Sequence, residues 1–366
     1  MSFPRLPGQL RLILWATLIG AVVAAVYAEF DVAIYGLPHL AWYGAPRGFL
    51  VGAVIASILG YLEVVVLPGP YGAPLRRSAF PVHVAVKTLV ALVVILFGLE
   101  LGRWVFPAPG EHGIEIEDVP FSLVLCFIFV FVLDVNRLLG QNVLLNFMTG
   151  RYHQPRLEER IFLFIDMEDS TGLAERLGPL AYHRLLNRFV LDLTESIVAA
   201  RGEIYGYIGD EVIATWKLND GIAQPGCAAA CFAAIDRLQE RAPDYRRDFG
   251  TAVNFRAGLH CGPVVTGEMG SVKKEIVFLG DTVNTASRIQ ELCRTTGDRV
   301  LASAELIDRL QLLPGISKRS LGDLRLRGKG ADLALYALTR APEQVPQDEA
   351  FLSVETSRHP TPEALS

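Results

Sequence analysis

The chain has 366 residues, 51% of them apolar and 20% charged, with a formal net charge of -5 and a pI near 5.9. That length leaves room for two or three domains. The acidic balance argues against a nucleic-acid binder, which would carry a basic footprint, so no nucleic acid is expected as a partner. The mean hydropathy of +0.33 averages two unlike halves: long apolar runs up to about residue 140, then an ordinary soluble pattern.

Four apolar segments open the chain, near residues 10–28, 49–67, 84–106 and 119–139. Each approaches the ~20 residues a helix needs to cross the hydrocarbon core, so residues 1–140 are predicted to form four spans in a lipid bilayer. The loop between the second and third carries Arg76 and Arg77. The loop between the third and fourth carries Glu111, Glu115, Glu117 and Asp118. Arg137, Arg151, Arg156 and Arg160 follow the fourth. Positive loops stay inside, so the rest of the chain is expected in the cytosol beneath a bacterial inner membrane. A rival reading takes the first segment as a signal peptide cut after Val26-Tyr27-Ala28. Glu63, inside the second segment, is a functional candidate by default, as the place where a membrane-domain ligand of unknown kind would bind. Glu100 and Lys87 are expected to reach for the interface.

Residues 134–159 read as a transducing linker. Val135, Leu138, Leu139, Asn142, Leu145 and Met148 recur at spacings of three and four, as on a helix that pairs with its twin. A basic stretch from Arg151 to Arg160 follows.

Beyond it the predicted elements alternate. A strand at 160–165 is followed by a helix at 178–200, strands at 204–207 and 212–216, and a helix at 226–241. Strands at 255–260, 264–269 and 274–279 precede a helix at 282–293. A strand at 299–303, a short helix at 304–310 and strands at 324–327 and 333–338 close the series. This alternation predicts one α/β sandwich over 160–340. Pro, Glu, Gln, Ser and Thr dominate 341–366, which is expected to be disordered. The five scattered cysteines read as small core residues.

The chemistry centres on residues 162–171. An apolar run, Phe162-Leu163-Phe164-Ile165, ends on Asp166, as when a buried strand delivers a carboxylate to its tip. A second acid, Asp210, sits in the turn Ile208-Gly209-Asp210-Glu211. If that hairpin lies beside the first strand, both carboxylates reach one place. They then repel unless a cation sits between them, and Mg²⁺ or Mn²⁺ suits such oxygen ligands. The backbone amides of Met167, Glu168, Asp169, Ser170 and Thr171, at a turn before a helix, would cradle phosphate oxygens. Asn284 and Arg288 are spaced i, i+4 and share one helix face. An amide beside a guanidinium suits orienting a ribose and stabilising charge on a transferring phosphorus. His183 and His260 read as surface or core residues.

Four blocks occur in order: Phe164-Ile165-Asp166-Met167 with Ser170-Thr171; Tyr207-Ile208-Gly209-Asp210-Glu211; Arg256-Ala257-Gly258-Leu259-His260-Cys261-Gly262-Pro263-Val264-Val265; and Gly280-Asp281-Thr282-Val283-Asn284-Thr285-Ala286-Ser287-Arg288. Together they resemble the class III nucleotidyl cyclase catalytic domain, in its bacterial, membrane-anchored form. The resemblance implies a ferredoxin-like βαββαβ core acting as a head-to-tail homodimer, with two Mg²⁺ or Mn²⁺ per site on Asp166 and Asp210. It implies that Asn284 and Arg288 come from the partner chain, and that Lys329, in Arg327-Gly328-Lys329-Gly330, contacts the triphosphate. The implied reaction turns ATP into 3′,5′-cyclic AMP and pyrophosphate through attack of the ribose 3′-hydroxyl. Two positions depart from the family. Many adenylyl cyclases have a Lys four residues before the second metal Asp, and here that position is Gly206. They often have Asp or Thr three residues before the Gly of the last block, and here it is Val277. Base selection then falls to backbone groups or to Lys273 and Lys274. GTP as substrate, and a catalytically weak nucleotide-binding signalling domain, are the alternatives.

Overall fold

The computed structural model describes residues 8–34, 41–67, 70–76, 78–107, 118–139, 146, 149–223, 226–325 and 332–340. They belong to two compact units, 1–144 and 145–366.

The first unit is helical: α1 (Gly8–Ile34), α2 (Ala41–Tyr61), α3 (Phe80–Val105) and α4 (Asp118–Leu139). Three stretches, Ile13–Phe30, Gly44–Val66 and Val82–Val105, are long and apolar enough to cross a membrane. In α4 the apolar stretch is shorter, Ser122–Val132, so three helices and not the expected four meet this description among the described residues. Large apolar side chains point outward, among them Trp15, Phe30, Leu89, Phe97 and Phe127, while Ile95 is fully buried. A surface of this kind suits a lipid solvent. α1 and α2 touch through small residues: a Cβ added to Gly52 would overlap the Gly20 carbonyl oxygen, and one on Gly48 the Ala24 carbonyl. Close approach of this kind replaces the hydrophobic drive that lipid removes.

α2 runs on into a π-helical turn, Leu62–Val66, which buries Glu63. The Glu63 carboxylate meets Lys87 Nζ at 2.9 Å, and both side chains are nearly enclosed. Lys87 therefore does not reach for the interface as its position predicted. It bridges α3 to the π turn. Glu100 does stay exposed, paired with Arg103 at 2.5 Å.

The second unit is one eight-stranded sheet. Its strands are β1 (Arg156–Met167), β2 (Glu203–Ile208), β3 (Glu211–Lys217), β4 (Phe255–Met269), β5 (Glu275–Leu279), β6 (Val300–Ser303), β7 (Ile316–Arg325) and β8 (Asp332–Arg340). The order is β2-β3-β1-β4-β6-β8-β7, with β5 paired to β4. The first four strands, with α5 (Ser170–Ala199) after β1 and α6 (Cys227–Glu240) after β3, give the βαββαβ core in the order expected. β1 is central and buried on both faces. Ile161, Leu163, Ile165 and Met167 pack with Leu185, Phe189, Leu193 and Ile197 of α5. Phe162 and Phe164 face the other way, onto Ala286 of α7 (Asp281–Thr296). Burial on both faces is why this strand reads as an unbroken apolar run.

Three differences from the sequence reading have physical causes. Residues 156–159, expected in the linker, form the first part of β1 and pair with Thr266 back to Pro263. Residues 255–269, expected as two strands, form one. Pro263 is tolerated because the far edge of β4 is unpaired there, β6 ending at Leu259 and β5 starting at Val265. α5 starts at Ser170 rather than at 178, because Gly178 (φ 72°) and Pro179 mark a kink inside it and not its start. The linker positions Asn142, Leu145 and Met148 lie outside the described residues, as does 341–366. All five cysteines are buried and free. Burial pushes the Cys227 and Cys293 thiols up to about 12, as inert core residues require.

Candidate active site

β1 delivers Asp166 at its end, opposite Arg256 of β4. The β1–β3 register, Ile165 against Val212, sets the β2–β3 turn beside that tip. Gly209 takes φ 64° in this turn, a conformation that favours glycine, and Asp210 follows it. The two carboxylates of the sequence reading are thus brought together. Burial, and then the neighbouring Asp210 carboxylate, push Asp166 up to about 6. Arg294 and Arg256 offset this only in part. Asp210 Oδ2 is buried with no hydrogen-bond partner. An orphaned, buried carboxylate oxygen beside a second acid fits a divalent cation. Among the described residues no group of three or more His, Cys, Asp or Glu forms a closed cage. Two carboxylates with open positions suit Mg²⁺ or Mn²⁺, which complete their shell with water and phosphate oxygens.

Met167 is in the core, and the Glu168 amide already donates to the Asn254 carbonyl at 3.0 Å. The Glu168 side chain pairs with Arg256 at 3.2 Å. Asp169 adopts φ 57°, and its carboxylate accepts from Arg176. Asp169, Ser170 and Thr171 thus lead into the first turn of α5, where backbone N–H groups have no helical partner.

Two residues near the acids went unsingled in the sequence. Glu211, next to Asp210, is pushed up to about 7 by burial and then by Asp166, Asp210 and Glu291. Tyr182 of α5 is raised by burial and by Asp210, and hydrogen-bonds Ser170. Glu211 stands inside a quoted motif block, so position could have flagged it. Tyr182 carries no local signal, because the fold of α5 brings it there.

Asn284 and Arg288 lie in α7, Asn284 exposed and Arg288 half-buried. The cations that lower the Asp166 carboxyl are Arg294 and Arg256 of its own chain. Lys329 lies outside the described residues. Gly206 sits at a bulge in β2, and an added Cβ there would meet nothing within 4 Å. Val277 pairs with Gly267 across β4–β5. Lys273 and Lys274, expected to be available to a base, pair with Glu275 at 2.5 Å and Glu268 at 3.4 Å. His260 is a core residue, its Nδ1 2.8 Å from Ser303 Oγ.

A mixed sheet with paired acids at one strand tip is the frame of a cyclase-type domain. The chain belongs to the adenylate and guanylate cyclase catalytic domain family, which it matches over residues 153–340. It is 38% identical to Adenylate cyclase 2 of Rhizobium meliloti (strain 1021) over 210 residues, 57% of this chain and 58% of that protein. It is 28% identical to Adenylate cyclase 1 of the same organism over 198 residues, 53% of this chain and 29% of that protein. The match thus spans little more than half the first relative and under a third of the second. The fold is similar to that of a bacterial light-regulated adenylyl cyclase, at a TM-score of 0.50 and 24% identity over 63% of this chain and 67% of that one.

Proposed function

We propose that the protein is a membrane-bound adenylate cyclase. It converts ATP to 3′,5′-cyclic AMP and pyrophosphate, with two metal ions at each of two sites of a head-to-tail homodimer. The observation that carries this is the Asp166–Asp210 pair, with its orphaned Oδ2 and its Asp166 carboxyl raised to about 6. The identity to two adenylate cyclases supports ATP as substrate. The anchor is read as four spans, with α4 as the fourth, and the catalytic unit as cytoplasmic beneath a bacterial inner membrane.

Bound Mg²⁺ or Mn²⁺ supplies positive charge at the ribose oxygen and the departing pyrophosphate. Asp166 and Asp210 hold that charge in place. The amides at the start of α5 donate to phosphate oxygens. Arg288 of a second copy balances charge as the phosphorus becomes five-coordinate, and Asn284 of that copy orients the ribose. Lys329 neutralises the terminal phosphates. Gly206 and Val277 favour a second reading, in which GTP is accepted as well, because neither side chain can hydrogen-bond a base.

The test is product identification. Membranes carrying the full chain are incubated with Mn²⁺ and ATP or GTP. Cyclic AMP that disappears in Asp210→Ala supports the proposal. Cyclic AMP together with cyclic GMP establishes the second reading, and cyclic GMP alone overturns ATP as substrate. Tight nucleotide binding without any cyclic product sinks both.

A further inference from the structure

Arg160 is 2% exposed and lies on the same strand as Asp166. Its Nε donates to Glu158 Oε2 at 3.1 Å, its Nη1 to Glu203 Oε2 at 2.9 Å, and its Nη2 to the Tyr152 hydroxyl at 3.3 Å. Its Cζ stands 4.7 Å from the centroid of the Phe278 ring. A planar guanidinium fixes the direction of each of these contacts at once, which a point charge cannot do.

The partners belong to segments with different destinations. Glu203 opens β2, which runs to the turn that carries Asp210. Phe278 is in β5, packed edge-on against Phe162 at 5.4 Å and Tyr205 at 5.0 Å. β5 ends at Leu279, and after Gly280 the chain enters α7 with Asn284 and Arg288. Tyr152, 2% exposed, belongs to the stretch that enters the catalytic unit. That stretch also grips the β4–β5 hairpin directly. The Glu268 amide donates to the Tyr152 carbonyl at 3.0 Å, and His153 Nδ1 lies 2.7 Å from Glu268 Oε1. Gly267 lies so close beneath Pro155 that an added Cβ would sit 3.3 Å from the proline Cα. The entering stretch, the Asp210 hairpin and the strand leading to Asn284 and Arg288 therefore converge on one buried side chain.

We propose that Arg160 is a positioning residue of the cyclase reaction: it carries the placement of residues 151–155 to β5, and through β5 to Asn284 and Arg288. This rests on the reading above, in which those two side chains act at the reacting phosphorus. Arg160 touches no substrate. Of its two routes to the site, through β2 to Asp210 and through β5 to α7, the second is the one that limits turnover in this proposal, so disturbing it lowers turnover and spares nucleotide binding.

The experiment uses the full chain in membranes. Arg160→Lys keeps the charge and loses the fork. Tyr152→Phe removes one hydroxyl and leaves the packing, so it carries the test if Arg160→Lys does not fold. With ATP and Mn²⁺, Tyr152→Phe is expected to lower kcat roughly fivefold and Arg160→Lys roughly twentyfold, with KM changed less than about twofold. In an Arg288→Ala background each is expected to add less than about twofold, because residues acting through one step are not additive. Full additivity, or a raised KM with kcat kept, overturns the proposal. If the wild-type chain makes no cyclic product, the functional reading falls and hydrogen exchange decides the inference separately. Faster exchange over residues 275–288 in Tyr152→Phe, with β1 and β3 unchanged, sustains it. Unchanged exchange there overturns it.

Discussion

Asp166 shows how a site is held ready at a cost to the fold. Burial and the adjacent Asp210 raise its carboxyl to about 6 from an ordinary 3.8. A carboxyl with a raised folded value binds its proton more tightly in the folded state. Metal-free stability from this group is therefore fully present below about pH 4, is lost as pH rises through about 6, and stays low above that. Asp166→Asn removes the repulsion. In EDTA at pH 8 it is expected to raise the unfolding temperature of the catalytic unit by about 2–4 °C. Mn²⁺ should stabilise the wild type and no longer stabilise the variant, and cyclic AMP formation should fall by roughly 10²–10³-fold. Thermal unfolding with and without Mn²⁺ reads the first two effects. A variant less stable than wild type in EDTA would show that the pair is not strained. Gly206 makes the opposite case, a place where a side chain is missing and space is open. Gly206→Lys restores the residue many adenylyl cyclases carry there. It is expected to raise the ATP-over-GTP ratio of kcat/KM about tenfold, the worth of one good hydrogen bond. An unchanged ratio would mean that β2 does not face the base.

At the scale of elements, what could be read in advance depended on how many faces an element buries. β1 was plain because Ile161 to Ile165 pack on both sides. The β2–β3 hairpin was plain because Gly209 and Asp210 demand a turn. β7 was mostly missed: Lys318, Arg319, Ser320 and Asp323 interrupt its apolar pattern, and its register slips between Ser320 and Gly322. Asp166 and Asp210 were found by motif and brought together by register, whereas Tyr182 reaches the site only through the path of α5. In the helical unit, sequence marked Glu63 as costly but could not show what compensates it. The structure supplies Lys87. Removing one member of a buried pair leaves an uncompensated charge, while removing both leaves apolar surface. Lys87→Met alone is expected to destabilise the helical unit by about 3 kcal/mol, and Glu63→Leu with Lys87→Met by less than half of that. Unfolding of the full chain in a graded detergent series measures both. A double variant as unstable as the single one would show that the carboxylate has another dominant partner.

For the whole molecule, the proposed head-to-tail dimer would make activity a property of two chains. On that proposal the acids of one chain are completed by α7 of another, so a defect in either half-site disables the chain that carries it without spoiling its partner's complementary half. Asp210→Ala and Arg288→Ala should each be nearly inactive as homodimers. Co-expressed at equal levels, half of the dimers are mixed, and each mixed dimer holds one intact site and one doubly broken site. With random pairing, half of the dimers at half activity should recover about a quarter of wild-type cyclic AMP formation. If Arg288 instead served the acids of its own chain, every site in the mixture would lack one component and no activity would return. The same mixture tests Arg160 at this scale. Arg160→Lys placed on the Asp210→Ala chain lies in the chain that supplies α7 to the surviving site, and it should lower the recovered activity. Placed on the Arg288→Ala chain, it lies with the surviving site's acids and should change the recovery much less. Equal losses in the two arrangements would mean that Arg160 acts on the fold of its own chain as a whole and not along β5 to α7.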